Sequence, residues 1–168
     1  LGSLRVRQDY LIALGLTSPF KDGNVDTTAQ QEMALDRIRQ LSAHEVGHTL
    51  GIAHNFAASE NNRASVMDYP HPKISIKNGK ISLEGAYDKG IGAWDIHAVA
   101  YGYQDFASDV EEAEALAKII VKGRNEGLSF KSDPDTRSSR HASANGHMWE
   151  NGSNPLDAFD EISQVREL

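Results

Sequence analysis

The sequence predicts a mainly α fold of the α+β type, and three observations predict it. The stretch from about Thr28 to Leu50 has no proline and carries Leu35, Ile38 and Leu41 at helical spacing. Two more helical patterns follow, one from Ser108 and one from Pro155. Against these helices, the clearest strand signal is a single run, Lys73 to Glu84, which reads as a hairpin. A length of 168 residues suits one domain with its own core. The formal net charge is −7, which argues against nucleic acid and anionic membrane as main partners. No apolar run is long enough to span a bilayer. The absence of cysteine excludes a disulfide framework, a thiolate-ligated metal and a thiol nucleophile.

Residues 1–26 are a mixed lead-in that fits a short helix or a strand equally well. Thr27 or Thr28 is placed to cap the long helix, and Gly51 to end it in a left-handed conformation. Residues 55–72 are loop-like and end on Pro70 and Pro72. In the hairpin, Asn78-Gly79 suits a type I′ turn, which pairs Ile76 with Ile81 and Ile74 with Leu83. Trp94 to Tyr101 reads as a short helix stopped by Gly102. Ser108 and Glu111 form a capping-box pattern before a stripe of Val110, Ala113, Leu116, Ala117 and Ile120. Leu128 to Phe130 suits a short strand, and 132–153 a long polar loop. The last helix starts at Pro155 behind Ser153 or Asn154, with Leu156, Phe159 and Ile162 facing inward.

The chemistry sits in His44-Glu-Val-Gly-His-Thr-Leu-Gly-Ile-Ala-His54. His44 and His48 are four apart on a helix, so both imidazoles project from one face and can share a zinc ion. Glu45 is close enough to reach a water on that ion and is angled away from being a ligand, the general-base position. Gly51 permits the turn that returns His54 as a third ligand. Three protein ligands leave an open position, as catalytic zinc sites do. With five fixed positions, a chance match is on the order of one in 10⁵ for a chain this long.

The pattern resembles the metzincin metallopeptidases, whose signature HExxHxxGxxH is followed by a Met-turn. Ser65-Val-Met-Asp-Tyr-Pro70 matches that turn. The resemblance implies that Met67 forms a floor beneath one Zn²⁺ and that Tyr69 ligates the metal or stabilises the oxyanion. It is narrower still towards large bacterial, exported zinc-dependent metalloproteases. It then runs through the Trp94–Phe106 stretch to the tail at His147–Gly152. It implies a zinc metalloendopeptidase in which a zinc-activated water attacks the peptide bond and Glu45 takes the proton. The alternatives are a catalytically incompetent zinc-binding interaction module and a zinc-stabilised structural domain. An intact Glu45 favours the enzyme, since a structural site needs no base.

Two departures stand out. Asn55 follows the third histidine, where many metzincins carry Asp or another family-specific residue. Only 43 residues precede His44, too few for the twisted upper sheet that metzincins place before the active-site helix. The chain therefore reads as one metzincin-like catalytic-domain fragment with that sheet largely absent. Its parts are a lead-in (1–27), the zinc helix, Met-turn, hairpin and C-terminal helix (28–103), and a helical extension (104–168). The expected partners are a peptide or protein substrate and an upstream domain of the same parent chain. The expected compartment is extracytoplasmic, periplasmic or secreted. His71, His97, His141 and His147 read as surface or packing residues. Asp133 and Asp135 lack the spacing of a calcium loop.

A missing cleft wall has a measurable consequence. Some of Leu35, Ile38, Leu41, Val46 and Leu50 should be exposed or covered by residues 1–20. The isolated 168 residues should bind zinc yet cleave peptides poorly, because no edge strand aligns the substrate. Efficient cleavage by this stretch alone, abolished by Glu45→Gln, would show that residues 1–27 or the tail build the wall.

Overall fold

The computed structural model describes residues 2–20, 23, 25–136, 143–149 and 151–168. In chain order its elements are helix α1 (Gly2–Thr17), helix α2 (Thr28–Thr49), a 3-10 turn (Ala58–Asn61), strands β1 (Ser75–Lys77) and β2 (Lys80–Ser82), and helices α3 (Ala93–Tyr103), α4 (Glu112–Asn125), α5 (Asp133–Thr136) and α6 (Pro155–Arg166). Among the described residues β1 and β2 are the only strands, so the fold is mainly helical with one small hairpin. No helix among them is long and apolar enough to cross a membrane.

The undecided lead-in is helical. α1 lies along α2 and places Ala13 in an apolar cluster with Met33, Leu83, Ala86 and Tyr87, flanked by Ile74 and Ile81. The hairpin has the register Ile76↔Ile81, and Asn78 and Gly79 both take positive φ, 52° and 72°, as a type I′ turn requires. A second cluster, of Ala58, Ala64, Val66, Met67 and Trp94, surrounds the segment after the 3-10 turn. Trp94 stacks on Phe130 at 5.4 Å.

α2 turns a largely polar side inward. Gln30, Asp36, Arg37, Gln40 and His44 are buried with Met33 and Gly47, while Leu35, Ile38, Val46 and Leu50 are exposed. Leu41 lies under the start of α1, where Gly2 leaves no room for a Cβ. Most buried polar groups in folded proteins are partnered, and a chain of such contacts runs from α1 towards Val66. The Tyr87 hydroxyl donates to Asp9 at 2.7 Å, and the Arg5 guanidinium lies 3.2 Å from the same carboxylate. Arg37 sits over the Tyr87 ring and donates to Gln40, whose amide donates to the Val66 carbonyl at 3.0 Å.

Five local expectations are corrected. Thr27 makes no side-chain cap on α2; the Asp26 carboxylate accepts the Thr28 N–H instead. Gly102 does not stop α3, which continues to Tyr103 so that its hydroxyl donates to the Leu50 carbonyl at 2.7 Å. The Ser108 capping box is unused, because a turn closes from Val110 N–H to the Ala107 carbonyl and α4 starts at Glu112. Residues 128–130 form no strand, since the side chain of Asn55 takes the backbone groups a neighbouring strand would pair. Leu156, Phe159 and Ile162 are exposed rather than inward. Only Val165 of α6 reaches the interior, and the first turns flank an open groove of ≈ 640 Å³ beside α1. The Asn154 cap is present, accepting the Leu156 N–H.

Burial pushes the Tyr87 hydroxyl above the ordinary tyrosine range, and its hydrogen bond to Asp9 adds to this. The folded state therefore keeps a proton that the unfolded chain releases near pH ~10. The stability this contributes is intact below about pH 10 and is lost as the pH rises above it. Melts between about pH 8 and about pH 11 should show a steeper alkaline fall in Tm for the wild type than for Tyr87→Phe. Parallel slopes would mean that Tyr87 ionises as freely folded as unfolded.

Candidate metal centre

α2 delivers His44 and His48 one turn apart, with ring centroids 4.6 Å from each other. The helix ends in a Schellman motif: Gly51 N–H donates to the His48 carbonyl at 3.0 Å and Ile52 N–H to the Gly47 carbonyl at 3.1 Å. Gly51 takes φ +77° to do so. The reversal brings His54 back until its ring lies 5.3 Å from His44 and 4.8 Å from His48. One nitrogen from each of the three falls within 4.8 Å of the others.

The other nitrogens are all engaged. His44 Nδ1–H donates to the Val66 carbonyl at 2.8 Å, and His48 Nδ1–H to the Ile52 carbonyl at 2.9 Å. His54 Nδ1–H donates to the Asp133 carboxylate at 2.6 Å. These partners fix the tautomers and make Nε2 the acceptor nitrogen of each ring. Burial holds His44 below the ordinary imidazole pKa, and His48 and His54 push the same way against the Val66 hydrogen bond. A neutral imidazole is what a metal requires, so the donor set fits a divalent cation.

Ser65–Pro70 lies directly beneath. Met67 is 1% exposed, and its sulfur packs so tightly under Gly47 that a Cβ there would overlap it. The turn is held from α3: Asp95 accepts from the Ser65 hydroxyl, from Val66 N–H at 2.8 Å and from Gly92 N–H at 2.7 Å. Tyr69 stacks on His44 and on Trp149, at 5.1 and 5.5 Å. Its hydroxyl lies 2.8 Å from His54 Nε2. Trp149 holds a left-handed φ of 66° and donates its N–H to the Tyr69 carbonyl at 2.9 Å. Glu45 is exposed on the same helix, one residue after the first ligand.

The structure therefore brings together His44, His48, His54 and Tyr69, with Met67 under Gly47 and Gly51 in the turn, while Glu45 is exposed beside His44 on the helix. It keeps the remaining described histidines apart. His71 contacts Arg5 and Trp149, His97 packs on Gly123 of α4, and His147 donates to the Met148 carbonyl. His141 lies outside the described residues. Sequence reasoning missed the supports. Asp95, Asp133 and Gln40 are single polar residues with no motif, and Asn55 registers only as a departure. A histidine ligand always needs a partner for its second nitrogen, but any carbonyl or carboxylate qualifies, so spacing gives no signal.

A helix that presents three convergent histidines over a methionine-bearing turn defines a metallopeptidase-type fold. The Met-zincin family model matches residues 26–168, and the chain belongs to that family. No curated protein and no solved structure matches the chain.

Gly47 gives the packing a direct test. Alanine is the better helix former by about 1 kcal/mol, so on propensity alone Gly47→Ala should stabilise α2. The overlap with Met67 should reverse the sign, for a net loss of roughly 1–3 kcal/mol. Thermal melts of the metal-free protein decide it, and a higher Tm for the variant would remove Met67 from beneath the helix.

Proposed function

We propose that this chain carries the active centre of a zinc-dependent metalloendopeptidase. The observation that carries the reading is the gathering of one nitrogen from each of three histidines within 4.8 Å, with the Tyr69 hydroxyl 2.8 Å from His54 Nε2. Zinc suits an all-imidazole set with an open position better than the hard cations, which take oxygen ligands. When bound, it supplies a Lewis acid that acidifies water and polarises the scissile carbonyl.

The chain's own residues do the rest. Glu45, exposed on α2 and next to His44 in sequence, takes the proton of the attacking water on a carboxylate oxygen. It then returns that proton to the leaving amine, so one carboxyl serves as base and as acid. The Tyr69 hydroxyl donates to the oxygen that gains charge as the carbonyl becomes tetrahedral. Its stacking on His44 and Trp149 limits the motion of the ring. The substrate is a peptide or protein chain.

Peptide hydrolysis by the full-length protein, read together with its metal content, tests the reading. Wild type should carry near one zinc per chain, and His48→Ala should lose it. Glu45→Gln should keep the zinc while activity falls by at least about 10²-fold. Undiminished turnover in Glu45→Gln, or equal zinc in His48→Ala, would overturn the assignment.

A further inference from the structure

The three histidines are not supported alike. His44 and His48 donate to backbone carbonyls of segments that already adjoin them, Val66 and Ile52. His54 alone donates to a carboxylate, at the shortest of the three distances, and that carboxylate is 79 residues away in sequence. We propose that Asp133 is a positioning residue of the metal centre, fixing the ring and donor strength of His54. The inference rests on the metal reading above.

Two features of the fold support it. First, Asp133 is carried by a segment anchored to the ligand's own neighbour. Asn55 is fully buried, and its amide donates to the Ser129 carbonyl at 2.9 Å while its oxygen accepts the Lys131 N–H at 3.1 Å. Phe56 N–H donates to the Lys131 carbonyl at 2.8 Å. The Phe56 ring lies 5.2 Å from that of His54. A segment gripped at 55–56 and again at His54 has its position set relative to the third ligand. Second, both nitrogens of His54 are accounted for. With Nδ1–H directed at Asp133, Nε2 carries the lone pair, which meets the Tyr69 hydroxyl at 2.8 Å. A carboxylate acceptor makes the imidazole a stronger donor than a carbonyl does, so the weakest-placed ligand, beyond the helix end, has the strongest support.

The test is zinc affinity at one fixed pH, by competition with a chromophoric chelator, for wild type, Asp133→Asn, Asp133→Ala and His48→Ala. Asp133→Ala should weaken zinc binding about 10- to 100-fold, and Asp133→Asn, which keeps an acceptor without the charge, by less. The visible d–d bands of the cobalt-loaded protein should shift in Asp133→Ala. The Tm of the metal-free protein should stay near wild type. Unchanged affinity and an unchanged cobalt spectrum would overturn the inference. So would an affinity loss matched by a drop in metal-free Tm, which would make Asp133 a loop support only. If Asp133→Ala fails to fold, the Asn variant decides by the same readouts. If wild type binds zinc no better than His48→Ala, the metal reading has failed and this inference falls with it. If wild type binds, His48→Ala does not and both Asp133 variants match wild type, only this inference falls.

Discussion

An imidazole that offers one nitrogen to a metal must have its other nitrogen held, or the ring turns and the wrong tautomer forms. Much of this fold follows from meeting that requirement three times. The turn after α2 exists in the form that returns the Ile52 carbonyl to His48. The Val66 carbonyl serves His44 because Asp95 fixes the backbone around Val66 from α3. The 128–136 segment reaches back across the molecule to place a carboxylate on His54. The Val66 and Asp133 oxygens come from distant stretches of chain, so His44 and His54 are aligned only once the tertiary structure is in place.

The same requirement accounts for the polar interior of α2. The Val66 carbonyl accepts from both His44 and Gln40, one helical turn apart. Gln40 is in turn met by Arg37, and Arg37 covers the ring of Tyr87, whose hydroxyl reaches Asp9 on α1. Partnered groups of this kind specify one arrangement more sharply than an apolar seam, because an unmade bond in the interior is expensive. Leu35 and Ile38, which give α2 much of its apolar periodicity, are consequently not on its packing face.

The legible parts of the sequence were those where a local rule and the tertiary structure agree. The Asn78-Gly79 turn, the Gly51 helix end and the Asn154 cap each depend on a few adjacent residues. The histidine spacing is legible for the same reason, since helix geometry alone places His44 beside His48. Where the sequence misled, a distant partner had decided the outcome. The reach of Tyr103 to Leu50 carries α3 past Gly102, and Asn55 replaces the strand neighbour that Leu128–Phe130 lacks. Phe159 and Ile162 follow a helical stripe that faces a groove rather than the interior, a distinction no single-helix pattern contains. Asp133 and Asp95 were invisible as supports because their meaning lies in what they face.

The fit of Met67 under Gly47 also makes this methionine a record of the protein's history. Its thioether is shielded from dissolved oxidants while the chain is folded. A sulfoxide oxygen is polar and adds bulk against a helix that has no space for even a methyl group. Oxidation at Met67 therefore marks molecules that met the oxidant while open. Such molecules have lost the floor on which the histidine cluster is built until a reductase restores the sulfur.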